Sequence, residues 1–104
     1  MAFVCYRVVR TLPPTRQDFR SREAQGLRAR PPERRDPRLY AGISVFESLA
    51  ALEATRRVVP LVGAVVELRI PDGAPVAVHK TRGPGHWTLV GDPDVLLGYV
   101  TGVV

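Results

Sequence analysis

The sequence predicts an α+β domain with a mostly antiparallel or split β-sheet and two short helices, and three observations carry this. Sixteen of the 104 residues are valine, and with Ile43 and Ile70 they tip the balance toward strands, because β-branched side chains suit a pleated surface better than a helix. Helical patterns fall early in the chain and strand patterns late, which is not the strict alternation of a doubly wound sheet. No segment repeats. A chain of this length makes one domain, residues 1–104, and its 45% hydrophobic content is enough for a single modest core.

The elements follow in order. Phe3 to Val9 is an apolar run that reads as a buried strand with Arg7 as its polar interruption. Leu12-Pro13-Pro14 ends it, and Thr15 can cap a short helix through Phe19, with Asp18 at the third helical position facing the free amides. Ser21 to Arg38 holds three prolines and almost no large apolar residue, so residues 22–38 read as a long arginine- and proline-rich loop unable to order itself by burial. Gly42 to Phe46 is a short strand, after which Ser48 can cap a helix running to about Val58, with Leu49, Leu52 and Val59 near one face. Glu53 sits four residues before Arg57 on the outside of that helix, and Pro60 stops it. Leu61 to Ile70 is the strongest strand, and Pro71-Asp72-Gly73-Ala74 reads as a turn that returns Val76 to His79 as its hairpin partner. His86 to Val90, one helical turn from Asp92 to Leu96, and a last strand from Leu97 to Val104 complete the chain.

Composition removes several classes of function. Cys5 is the only cysteine, so no intrachain disulfide can form and a Cys/His metal site is nearly excluded. Lying in an apolar run, it reads as a small buried hydrophobe. No run approaches the roughly 18 apolar residues of a membrane span, and no basic segment precedes an apolar one at the N-terminus, so a cytoplasmic protein without a membrane partner is expected. There is no Gly-rich phosphate loop, nucleophile elbow or His-Glu metal helix. The net charge is +5, and Arg16 to Arg38 supplies most of it, with eight arginines against Asp18, Glu23, Glu33 and Asp36. Such a segment can neutralise phosphates or dock an acidic protein surface, although its acids dilute it and no aromatics interleave, as in a solvated loop. Fourteen arginines against one lysine suit phosphate or carboxylate recognition by the planar fork, and equally fit a GC-rich genome.

Chemistry is most concentrated between Gly83 and Asp94, which holds the only tryptophan, one of two histidines, and several turn-formers and acids. His86 is either an acid, base or ligand donor or a partly buried histidine at a strand start. Alternation puts His86 and Thr88 on one face and Trp87 on the other, where it serves as a core anchor. Asp92 followed by Pro93 fits a helix cap. Arg7, Ser44 and Glu67 are polar interruptions of three different strands, the arrangement by which a cleft is lined, and a cation inside an apolar strand must be paired or aimed at such a cleft.

A first strand ending in Tyr6-Arg7, a middle strand Ile43-Ser44-Val45-Phe46, a helix, a long strand Val65 to Ile70 and a closing Val-Thr-Gly-Val-Val strand resemble the layout of small ADP-ribosyltransferase-like domains. The chain also resembles a group of short bacterial, actinobacterial-type proteins that share the Gly-Ile-Ser-Val-Phe strand and a late Gly-His-Trp/Tyr-Thr-Leu. The resemblance implies a domain that binds NAD or a nucleotide, as a toxin-like enzyme or as a degenerate, non-catalytic member. It implies that Arg7 holds the nicotinamide ribose or a phosphate, with Ser44 and Phe46 supporting the nicotinamide pocket; His86 completes the lining of the cleft. The Glu-x-Glu of the active transferases is absent, Glu67 being the nearest substitute, and no residue is assigned as catalytic and no metal is expected. The reading from a different class is a non-enzymatic interaction module, of partner or immunity type, whose basic segment docks an acidic surface or nucleic acid.

Overall fold

A computed structural model describes residues 1–104 and shows one antiparallel sheet of six strands with four short helices, an α+β domain. The strands are β1 (Phe3–Val9), β2 (Ile43–Phe46), β3 (Ala64–Ile70), β4 (Ala77–Lys80), β5 (His86–Val90) and β6 (Val100–Val103), in the order β4-β5-β2-β1-β3-β6. The helices are α1 (Pro31–Arg35), α2 (Pro37–Ala41), α3 (Leu49–Arg56) and α4 (Pro93–Gly98), with a 3-10 turn at Arg16–Phe19. No helix is long and apolar enough to cross a membrane.

The sheet divides into halves. On one side β1 and β3 pair along their full lengths, from Phe3 opposite Ile70 to Val9 opposite Ala64, and β6 joins β3. On the other, β2 pairs with β5 from Ile43 opposite Leu89 to Phe46 opposite His86, and β4 joins β5. The halves meet through the single pair Tyr6–Phe46, beyond which β1 and β2 part. Two crossovers tie them together, α3 between β2 and β3 and α4 between β5 and β6.

Each face of the sheet buries what its alternation supplies. On one face Cys5, Val9, Ile43, Val45, Val66, Leu68, Ile70 and Leu89 form a core with Phe19 of the 3-10 turn and Leu96 of α4. Trp87 joins this side, its ring 5.0 Å from that of Phe3 while its indole Nε1 donates to Glu47 at 2.9 Å, so it anchors the core as alternation predicts. Phe46 and His86 project from the other face, where α3 brings the fully buried Leu52 over β1 and β2.

Local capping chemistry sets the helix boundaries. Ser48 Oγ accepts from the Ala51 amide at 3.1 Å and Asp92 Oδ1 from the Asp94 amide at 2.8 Å, each satisfying an orphan donor of the first turn. Pro93 occupies the first turn of α4, where its missing amide costs nothing.

Two expectations are corrected. β4 is not the hairpin partner of β3; it lies at the opposite edge, paired with β5 from Ala77–Val90 to Lys80–Trp87. Pro71 and Pro75 have no amide to give a ladder beside β3, and the segment instead packs Ala74 and Val76 against the core on its way across. Residues 22–38 are not an unstructured loop, since α1 and the start of α2 form inside them. Polar anchoring replaces the missing apolar burial: Glu33, only 9% exposed, accepts from the Arg30 amide at 2.6 Å and from Arg22 Nε at 3.1 Å. Tyr40 Oη donates to the Leu27 carbonyl at 2.5 Å, closing the segment onto α2.

Candidate functional site

Where β1 and β2 part, a cleft of about 1110 Å³ opens between the sheet, the arginine segment and α3. Its volume is slightly above the roughly 300–1,000 Å³ usual for small-molecule sites. Arg7, Ser44, Phe46 and His86 all line it. Glu67 does not, because β3 lies on the far side of β1; its carboxylate receives Tyr6 Oη at 3.4 Å and Thr101 Oγ1 at 2.7 Å.

Arg7 spans the seam between the half-sheets. Its Nε donates to the Asp18 carbonyl at 2.9 Å and its Nη1 to the Ser44 carbonyl at 2.7 Å, while the guanidinium carbon sits 6.0 Å from the Phe19 ring centroid. No carboxylate forms an ion pair with it. Burial pushes its pKa down to about 10, partly offset by the nearby Asp18 charge, so it remains a cation at neutral pH. Two of its five N–H donors are used on those carbonyls. Ser44 is exposed on the cleft wall, and Phe46, 4% exposed, meets the His86 ring edge to face at 5.5 Å between centroids.

His86 is 8% exposed and is held by a buried hydroxyl pair: its Nδ1 lies 2.9 Å from Thr81 Oγ1, which lies 2.8 Å from Thr88 Oγ1. Burial lowers its pKa, and the Arg82 charge adds to this, against a raising contribution from the Thr81 backbone. The turn before it depends on Gly85, whose φ of +74° is a left-handed conformation and whose absent Cβ would stand 2.4 Å from the Ala51 Cβ of α3.

Six arginines line the cleft, Arg7, Arg10, Arg20, Arg22, Arg30 and Arg82, against the three carboxylates of Asp18, Glu33 and Glu47. Each carboxylate is already engaged. Asp18 takes the Arg10 amide at 2.8 Å, the Thr11 hydroxyl at 2.5 Å and the Thr15 amide at 3.0 Å. Burial alone would raise its pKa, but these donors outweigh it and hold the carboxyl below its usual range. Glu33 is taken by Arg22 and the Arg30 amide, and Glu47 by Trp87. Part of the rim is apolar, a lip next to Arg10 whose Val58 and Val62 are 81% and 82% exposed. A basic floor beside an apolar lip suits an amphipathic anion with a flat or greasy end and a phosphate or carboxylate end.

The sequence alone did not point to Arg10, Arg82, the lip or Thr81, and it placed Arg30 only within the basic segment. Thr88 was within reach, since its spacing from His86 puts the two on one face; Thr81 joins only through the β4–β5 pairing that returns it beside His86, where its amide donates to the His86 carbonyl at 3.2 Å. The chain matches no protein-family model, no curated protein and no solved structure.

Proposed function

We propose that this chain is a small ADP-ribosyltransferase-like domain that binds NAD or another nucleotide in the cleft between its half-sheets, as a binding member without transfer chemistry. The observation that carries the reading is convergence: Arg7, Ser44, Phe46 and His86, drawn from three strands, line one cleft whose arginines outnumber its acids. The side chains of Arg10, Arg30 and Arg82 make no ion pair or hydrogen bond within the chain, so they are free to meet a pyrophosphate. The engagement of Asp18 through both oxygens, and of Glu33 and Glu47 each through Oε1, supports binding over catalysis, because the cleft carboxylates are tied into the fold's own hydrogen bonds. Calorimetric titration with NAD tests this. Saturable heat that weakens in Arg10→Ala and Arg82→Ala supports the reading, and no heat at millimolar NAD, ADP and ATP overturns it.

A second reading draws on the outer arginines. Arg28, Arg34 and Arg35 are exposed and lie outside the cleft lining, as a segment docking an acidic protein or nucleic acid would have them. Its signature is affinity for such a partner that falls steeply with salt; a flat salt response removes it.

A further inference from the structure

We infer that His86 presents Nε2–H to the cleft as a fixed hydrogen-bond donor, set by a proton chain running Thr88 to Thr81 to His86, and that it serves there to recognise an acceptor oxygen and not as a base. Thr81 and Thr88 are 4% and 1% exposed, and the hydroxyl of each must donate somewhere. Thr88 Oγ1 has one hydrogen-bonding neighbour, Thr81 Oγ1, whose only other partner is His86 Nδ1.

One direction satisfies every group: Thr88 donates to Thr81, and Thr81 donates to an unprotonated Nδ1. The reverse makes Nδ1–H donate to Thr81 and Thr81 donate to Thr88. The Thr88 hydrogen then has no acceptor among its neighbours, a buried donor left unsatisfied. Only the first direction gives both hydroxyl hydrogens an acceptor among the mutual contacts of the three groups. With Nδ1 accepting, a neutral ring carries its proton on Nε2.

The imidazolium would force the reversed chain, since both its nitrogens donate. Burial opposes it as well, as do Arg82 and Lys80, the charged groups that act on the ring, and together they outweigh the Thr81 backbone, which favours the charged form. Glu47, the carboxylate at the end of β2, gives its Oε1 to Trp87 Nε1 at 2.9 Å. Phe46 fixes the ring from one side, edge to face. A neutral donor of this kind selects a carbonyl or hydroxyl oxygen, whereas the arginines serve phosphate oxygens. Thr81 and Thr88 are therefore positioning residues, acting through His86. Only the identity of the oxygen rests on the proposed nucleotide reading, where it is the carboxamide carbonyl or a ribose hydroxyl of NAD.

Long-range ¹H–¹⁵N spectra of the ligand-free full chain at pH 7.5 test the tautomer. The expected result is a pyridine-type Nδ1 and a pyrrole-type Nε2 for His86. Thr81→Val should move both nitrogens toward the averaged values of exchanging tautomers, while Thr81→Ser keeps the wild-type pattern. A pyrrole-type Nδ1, or a protonated ring, in the wild-type chain overturns the inference whether or not any variant folds. With NAD added, the Nε2–H proton should shift, and His86→Phe should weaken NAD roughly two- to tenfold, the value of one hydrogen bond. NAD that binds without moving that proton overturns the recognition role. The predicted tautomer in a chain that binds no nucleotide overturns the nucleotide reading and leaves the fixed donor standing.

Discussion

Replacing Arg7 by lysine tests how much of the fold hangs on one guanidinium. The charge is kept, so the change isolates the fork: Nε and Nη1 now reach two carbonyls on different elements, Asp18 on the 3-10 turn and Ser44 on β2. An ammonium carries its three donors on one nitrogen and lacks the fork that reaches both carbonyls at once. A hydrogen bond from a charged donor contributes about 1.5–3 kcal/mol, and loss of the stacking over Phe19 adds about 0.5 kcal/mol. Arg7→Lys should therefore destabilise the chain by about 2–3.5 kcal/mol, which lowers Tm by roughly 8–28 °C for a domain of this size. Urea denaturation followed by Trp87 fluorescence reads the midpoint, with the exposed Arg57→Lys as control. A loss below about 0.5 kcal/mol with an unchanged m-value would refute the view that Arg7 bridges the half-sheets.

Three further outcomes are expected. His86 has a folded pKa below its usual 6.5, so the folded state binds fewer protons than the unfolded chain; its contribution is whole above pH 6.5 and is lost as pH falls from there toward the folded pKa. Stability measured between pH 4.5 and 7.5 should decline toward acid by at most about 1.4 kcal/mol per pH unit, flattened in His86→Phe, whereas the Asp18 contribution is lost only below the usual 3.8. Cys5 is fully buried and its thiol is pushed up to about 12 by burial, so a thiol reagent should label it at the rate of unfolding, and rapid labelling of the native chain would contradict the core assignment. Leu52→Ala should cost about 2–5 kcal/mol by urea denaturation, since Leu52 is the fully buried residue by which α3 covers its face of the sheet.

What could be read from the sequence was local or periodic. Ser48 and Asp92 announced helix starts because a cap acts within three residues, and alternation separated His86 from Trp87 because a strand has only two sides. The partner of β4 was not legible, since nothing near Ala77 encodes a strand lying beyond β2. Nor was the fate of Glu67, which depends on β1 standing between it and the cleft. The arginine segment was misjudged for a different reason. Its order comes from one buried carboxylate, Glu33, and one phenol, Tyr40, each satisfying donors or acceptors that an apolar count does not register. The candidate site was legible as a set of residues and illegible as a place, because the parting of β1 from β2 is a property of the whole sheet.

That parting also sets the mechanics of the domain. In an ordinary sheet the central ladder is the last to open, yet here the centre is the line of thinnest hydrogen bonding: one residue pair and one side-chain fork bond two well-laddered halves that share a core and the Phe3–Trp87 contact, and α3 and α4 span the gap like straps. Amide exchange should accordingly be slow within β1–β3 and β2–β5 and fast along the line between them. Breathing about that line widens or narrows the cleft, so a ligand bridging both walls would stiffen the molecule as a whole.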